Sequence, residues 1–474
     1  MKYNPIISIT LLVLAGCRPG KEQLKPDVAL PQEFRVPAGQ EARLEGGADS
    51  LNRTLPSLSS FFNNQTLRAL IDSALVNNND LRSAIKNIEL ARTTMRQVKL
   101  NYLPDIDAQL AVTRNKSARN SFAGLGNEAF IGRLSVNDFN LNLGVNWEID
   151  IWGRVKTQKE EALSVFLQNQ EIKKGIQTRL VADIASGYYN LLMLDEQLRI
   201  ARNSQQLADS TLTIINAQYR VGEASLLAIQ QSKAQLDAAR QLVPQIEQSI
   251  VQQENAVGLL AGQYAKAIIR NPEQEGEFNI DPKSGYDVSL LAARPDVQQA
   301  EFNFRAANAR AGLAQIAMYP RLTITAQGGL TSFNVANWIA FPGSVFWNAA
   351  GGLTQPVFQR RQLKTAYEQA VIEQEKAAIG FKQAVLTGYA EVSSALVANR
   401  KLEEQLAIAT DRRQSLSEGI GSAKILFKNG EANYLEIIAA QSSYLQSRLD
   451  VTLLEREKAN AIIELYRALG GGWK

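Results

Sequence analysis

The segment FNLNLGVNWEIDI alternates without a break. Phe139, Leu141, Leu143, Val145, Trp147, Ile149 and Ile151 project to one face, and Asn140, Asn142, Asn146, Glu148 and Asp150 to the other. Period two of this kind predicts a strand with one apolar and one polar face. DIDAQLAVTR from Asp105 and RLTITAQGGL from Arg321 repeat the pattern. VFWNAAGGLTQPVF from Val345 follows it less cleanly and carries Gly351, Gly352 and Pro356. Alternation alone also suits half-buried strands of a soluble sheet. These runs reach roughly ten residues, the length a tilted strand needs to cross a bilayer, with loops expected at about 115–138 and 333–344 on the far side.

The rest of the chain reads as helix. Neither 154–219 nor 361–427 contains a proline, and about sixty residues of helix span roughly 90 Å. A three-four spacing through Leu435, Ile438, Leu445, Leu449, Ala459, Ile463 and Tyr466 predicts a coiled-coil seam in the returning helix. Ser442, Thr452 and Arg456 interrupt that seam and suit a helix packed on two sides. Pro244 is expected to bend or loosen the first returning helix.

These elements occur twice. NNDLRSAIKNIELARTTMRQVKLNYLP from Asn78 parallels RPDVQQAEFNFRAANARAGLAQIAMYP from Arg294 at an offset of 216. Downstream, YRVGEASLL from Tyr219 parallels FKNGEANYL from Phe427, and LLAG from Leu259 parallels RALG from Arg467, at an offset of 208. DIASGYYNLL from Asp183 already parallels EVSSALVANR from Glu391 at 208, so the eight-residue change falls between Pro104 and Asp183. Each copy reads helix, two strands, two very long helices. The expected organisation is a leader 1–16, a tail 17–60, a first repeat 61–262, a connector 263–285, a second repeat 286–470 and a short tail 471–474.

Gly222 and Gly430 stand where each long helix must reverse, because glycine adopts the left-handed conformation such a turn requires. The paired stretches are therefore two helix-hairpin tips. Either they only make soluble turns, or several of them together close a duct or dock a partner.

Composition narrows the function. Among 474 residues there is one cysteine and no histidine. This removes disulfides within the chain, His-ligated zinc and both Ser-His-Asp and Cys-His catalysis, so no cofactor and no enzyme activity are expected. A net charge of +4 without a basic block gives no reason to expect nucleic acid. Lys2 and the apolar run from Ile6 to Leu14 form a secretory signal too short to span a bilayer. It ends in Leu14-Ala15-Gly16-Cys17, which resembles a bacterial lipobox, so Cys17 is expected to carry a covalent lipid.

Four strands cannot close a barrel in lipid, where unpaired edge groups cost several kcal/mol each and barrels begin at about eight strands. Copies of the chain must complete the wall: two supply about eight strands, three about twelve.

Together these residues resemble the TolC-like outer membrane factor family, in its lipoprotein branch from multidrug efflux systems of the RND type. The resemblance rests on Cys17, RPDVQQAE from Arg294, Leu103-Pro104 and Tyr319-Pro320 before strands, WEIDIWGR from Trp147, Pro356-Val357-Phe358 and the two tips. It implies a mixed α/β membrane protein: a homotrimer with a 12-stranded outer-membrane barrel, continued by a long α-helical periplasmic barrel. It further implies an exit duct for small toxic compounds, with a periplasmic adaptor and an inner-membrane transporter as partners. Asn140, Asn142, Asn146, Glu148 and Asp150 would line the lumen. Arg220, Gly222, Leu226, Lys428, Gly430 and Leu435 would meet the adaptor, and Glu436 would narrow the aperture or merely sit in solvent. Where relatives carry a second aspartate beyond the tip, this chain has Ala439. The same architecture serves as a duct for secreted protein; a non-conducting coiled-coil lipoprotein has no need of alternating strands.

Overall fold

The computed structural model describes residues 26, 28, 31, 33–35, 55–271, 278–280 and 286–473. Cys17, the leader, most of the tail and parts of the connector lie outside the described residues. The elements are α1 (Leu58–Phe61), α2 (Gln65–Asn77), α3 (Asn79–Leu100), β1 (Asp105–Lys116), α4 (Phe122–Ile131), β2 (Ser135–Ile149), α5 (Arg154–Arg220) and α6 (Leu226–Leu260). After a short 3₁₀ turn come α7 (Pro295–Ile316), β3 (Arg321–Ser332), β4 (Val345–Thr354), α8 (Gln362–Lys428) and α9 (Tyr434–Ala468). The chain divides into two compact units. One holds residues 89–167 and 301–379; the other holds 168–300, 380–473 and the described residues before 89.

The first unit is built on one antiparallel sheet in the order β1-β2-β3-β4. Directly opposite residues share a face, so the register tests the alternation read from sequence. Leu110 pairs with Leu141, Leu141 with Leu330 and Leu330 with Val345, while Gln109 pairs with Asn142 and Asn146 with Thr325. The apolar and polar faces therefore run across all four strands, with Arg114 and Lys116 at the loop end of the apolar face and Phe346 on the polar one.

Register also locates the eight-residue difference between the repeats. Asp105 faces Asn146 in the first hairpin, and Arg321 faces Thr354 in the second. Asp105 and Arg321 are equivalent at the offset of 216, and Asn146 and Thr354 at 208. The entire change therefore lies in the hairpin loop. The longer loop carries α4, whose N-terminus is capped by Ser121 Oγ accepting from the Gly124 amide at 3.1 Å. The first expected loop begins two residues too early and ends four too late, and the helix inside it is not foreseen by periodicity, whereas the second, 333–344, matches the gap between β3 and β4. β2 stops at Ile149 and β4 at Thr354, two residues before Pro356, which has no N–H for a ladder.

α5 and α8 have 67 residues each, about 100 Å long at 1.5 Å per residue. α6 and α9 have only 35 each, about half the length of α5 and α8. In the second unit their ends are spliced to another helix instead. Asn78 caps α3 by accepting from the Leu81 amide at 2.9 Å, and its Nδ2 donates to the Leu260 carbonyl at the end of α6 at 2.8 Å. Arg294 occupies the equivalent position before α7 and donates through Nη1 to the Ala468 carbonyl at the end of α9. Orphan carbonyls at a helix end thus find donors on the next helix. α6 runs through Pro244 as one continuous helix.

The hydrophobic core of this unit gathers Phe61, Leu67 and Ile71 from α1 and α2, Ile184, Tyr188 and Leu191 from α5, Val257 from α6 and Ile463 and Tyr466 from α9. Phe61 stacks on Tyr466 with centroids 3.9 Å apart, and Asn64 Nδ2 donates to the Tyr188 hydroxyl at 3.3 Å. In α9 the single chain buries Ile437, Gln441, Ser447 and Val451, while Ile438, Leu445 and Leu449 are half-buried and Leu435 is exposed. The expected seam is therefore displaced by one to two residues in the half of α9 nearest the tip, while its last three positions, Ala459, Ile463 and Tyr466, are buried as expected. Gln441 tolerates burial because its Nε2 donates to Thr211 Oγ1 at 2.8 Å.

Candidate pore wall and hairpin tips

In the sheet unit, the apolar face of the isolated chain is bare. Ile106 is 66% exposed, Leu110 67% and Val112 63%, with Leu143, Trp347 and Leu353 also exposed. A soluble sheet buries this face, so its exposure marks it as a surface to be covered by something apolar. The opposite face carries Asn140, Asn142, Asn146 and Glu148 on β2 with Gln109 on β1 and Thr323, Thr325 and Gln327 on β3. Asn142 Nδ2 donates to Asn140 Oδ1 at 2.5 Å, and Thr331 Oγ1 bonds Asp138 Oδ1 at 3.0 Å. Such a face suits water.

Asp150 does not belong to it. It lies past the end of β2 and accepts from the backbone amides of Val155 and Lys156 at 3.1 and 3.3 Å, capping the start of α5. A carboxylate there satisfies orphan amides and complements the helix dipole. Glu148 ends the polar row in an ion pair with Arg154 at 2.7 Å. Trp152 stacks on Tyr319 and donates through Nε1 to the Pro320 carbonyl at 2.7 Å, so this aromatic packs the strand-to-helix corner. Trp147 stays on the apolar face and donates to the Tyr102 carbonyl at 3.0 Å.

Close approach within the sheet demands one glycine. A Cβ at Gly329 would stand 2.0 Å from the Leu141 carbonyl oxygen, so no side chain fits without moving β2.

In the helical unit, both tips reverse through a left-handed glycine, Gly222 at φ 83° and Gly430 at φ 79°. The bonds match: Glu223 N–H to Gln218 O at 2.9 Å in the first tip, and Glu431 N–H to Leu426 O at 2.9 Å in the second. Ser225 Oγ caps α6 by accepting from Ala228 N at 3.2 Å, and Asn433 Oδ1 caps α9 by accepting from Leu435 N at 2.8 Å. Arg220, Lys428, Leu226 and Leu435 are exposed at these turns. Glu436 is exposed too and sits in the first turn of α9, where its amide also reaches Asn433 Oδ1 at 3.3 Å. Val221 and Leu227, not singled out from sequence, extend the exposed apolar surface of the first tip. Their signal was position alone, beside the turn glycine and the capping serine.

The helical unit also explains the RPDV stretch. Arg294 is 3% exposed and holds Asp296 and Glu391, each at 2.7 Å, while Arg467 holds Glu464 at 2.7 Å and reaches Glu391 at 3.4 Å. Burial alone would lower the basicity of Arg294, but its bonds to Asp296 and Glu391 outweigh this and raise it. Burial likewise works against ionised Asp296, and the Arg294 guanidinium overrides it, holding the carboxyl below its ordinary range. Nearby Asp183 moves the other way: burial, then Glu464, push its carboxyl up against the opposing Arg179 and Arg467.

An open-edged sheet with a bare apolar face and an amide-lined reverse, joined to hairpins of this length, is the subunit of a membrane channel. A family model described as outer membrane efflux protein matches residues 70–263 and 288–471. The chain belongs to that family and is an outer-membrane protein of efflux. It is 27% identical to the solvent efflux pump outer membrane protein SrpC of Pseudomonas putida, over 100% of this chain and 99% of that one. It is 26% identical to the probable outer membrane lipoprotein SilC of Salmonella typhimurium, over 98% and 97%. Among solved structures, CusC superposes at TM-score 0.84 with 24% identity over 96% of this chain and 100% of that one. The open-state MtrE channel of Neisseria gonorrhoeae does so at 0.82 with 22% over 97% and 99%.

Proposed function

We propose that three copies of this chain form a lipid-anchored exit duct in the outer membrane, passing small toxic compounds delivered by an inner-membrane pump through a periplasmic adaptor. The observation that carries this reading is the sheet: two faces of opposite polarity, an exposed apolar one and a polar one, with two edges unpaired among the described residues. In lipid those edges must be paired, and twelve strands from three chains enclose a lumen lined by Asn140, Asn142, Asn146 and the Glu148–Arg154 pair. The solvent, toluene and cation efflux named for its relatives point to small toxic solutes as cargo. The lipoprotein name of SilC supports acylation at Cys17.

The tips supply the adaptor surface. Arg220, Gly222 and Leu226 with Lys428, Gly430 and Leu435 offer exposed apolar and basic groups at the capped turns, and Glu436 lies in the first turn of α9, where symmetry would bring three copies together. The test is twofold. Purified protein in planar bilayers is expected to give discrete conductance steps, and a strain lacking it is expected to become hypersensitive to solvents or metal salts. Detergent-solubilised protein that never conducts in bilayers would refute the duct.

A further inference from the structure

The internal repeat contains a template for the contact between copies. β2 closes the first repeat's hairpin and β3 opens the second, and the two pair within one chain from Phe139 opposite Ser332 to Ile149 opposite Leu322. β4 is the repeat equivalent of β2, and β1 of β3. We propose that β4 of one copy pairs antiparallel with β1 of the next in the register obtained by carrying β2–β3 through the repeat offsets, so that Leu353 stands opposite Leu110. This rests on the self-assembly proposed above and adds to it the residue-by-residue pairing.

The equivalence is fixed by the hairpin register, which places Val145 over Leu353 and Ala326 over Leu110. The pairing then runs from Trp347 opposite Lys116 to Thr354 opposite Gln109. Parity is the first support. In this register Gly351 and Leu353 on the apolar face of β4 continue onto Val112 and Leu110 of β1, while Ala349 and Trp347 meet Arg114 and Lys116 at the loop end of the strand. A slip of one residue would set the apolar face of β4 against the face of β1 that carries Gln109, Ala111 and Thr113. All three of Leu110, Val112 and Leu353 are exposed in the single chain.

Volume is the second support, and it is independent of parity. Within the chain Leu143 stands opposite Gly328, and Asn142 opposite Gly329, where the glycine leaves no room for a Cβ. At the equivalent places between copies Gly351 meets Val112 and Ala350 meets Thr113. In both pairs the bulk moves from one strand to the other, so the two interfaces fill similar space with opposite halves. Such compensation is expected only where the strands truly face each other.

Disulfide trapping tests the register, because directly opposite residues lie within disulfide reach and diagonal ones do not. Leu110→Cys with Leu353→Cys, and separately Val112→Cys with Gly351→Cys, are expected to give reducible covalent trimers on mild oxidation of the full chain. The shifted pairs, Leu110→Cys with Gly351→Cys or with Gln355→Cys, are expected to give at least about tenfold less. Val145→Cys with Ala326→Cys, the same pair within one chain, reports folding and oxidation without linking copies. A shifted pair that crosslinks best in particles that are still trimers overturns the register and leaves self-assembly standing. Trimers that no pair links overturn the register as well. Particles that are single copies, with the control pair oxidised, overturn both.

Discussion

The sheet and the helical body of this chain obey opposite rules. In the helical body Phe61, Tyr188 and Leu191 are fully buried, and polar groups that enter, such as Asn64 and Gln441, bring partners. In the sheet Ile106, Leu110 and Val112 stand exposed while Asn142 is buried. One sequence alternation serves a soluble sheet and a barrel wall equally; what separates them is which face the rest of the chain covers. Here the described residues cover neither apolar face nor edge, whereas the helices build an ordinary core. The protein is complete in one part and unfinished in the other.

Perturbations of the two parts should therefore be separable. The largest effect is expected for Arg294→Ala, which strips Asp296, Glu391 and the Ala468 carbonyl of a buried donor. The loss is about 3 kcal/mol, the lower end for breaking a buried pair because both carboxylates retain some solvent. It should appear as a lower midpoint in helical melting. Next, Leu143→Arg places a charge on the bare face and should cost about 2–4 kcal/mol in the membrane. Fractionation should show loss of the outer-membrane form while the helical circular dichroism of the remaining protein is kept. Equal loss of helix would erase the distinction between the two parts.

Asn78→Ala tests the same splice as Arg294 in the other repeat, with a neutral donor. Removing that bond and cap should cost about 1–2 kcal/mol in the same melting assay, less than Arg294→Ala. Acid supplies a finer probe. The Asp296 carboxyl is held below its ordinary value of 3.8, so its stabilisation is present above that pH and is lost as pH falls through the depressed value. Asp296→Asn should flatten that acid limb of a stability-against-pH curve and leave the sheet's behaviour unchanged. The smallest effect is expected for Glu436→Ala, visible only as a modest rise in single-channel conductance or weaker cation block. An unchanged trace would remove Glu436 from the aperture.

The strands were legible because sustained period-two alternation belongs to extended chain and to no helix, and the tips because GEA recurs at one offset beside a glycine that must turn. The resemblance of the repeats carried the element order. Asp150 was misplaced for a physical reason: it keeps the period of β2 but answers to the amides of α5. Helix α4 hid in a loop with no apolar stripe long enough to stand out. The splices at the ends of the returning helices were not foreseen, because Asn78 and Arg294 act as joints that no periodicity reveals. The α9 seam held at Ala459, Ile463 and Tyr466 but shifted nearer the tip, because a helix with two apolar sides has two candidate stripes and a single chain buries one there.

Four strands with bare edges are one share of a common wall around water. Electron microscopy of the detergent-solubilised protein probes this without any substitution. Threefold particles are expected, with a membrane belt that resolves twelve strands and places β4 of each copy beside β1 of the next. Single copies lacking a detergent belt, or a wall closed by any other number of chains, would contradict it.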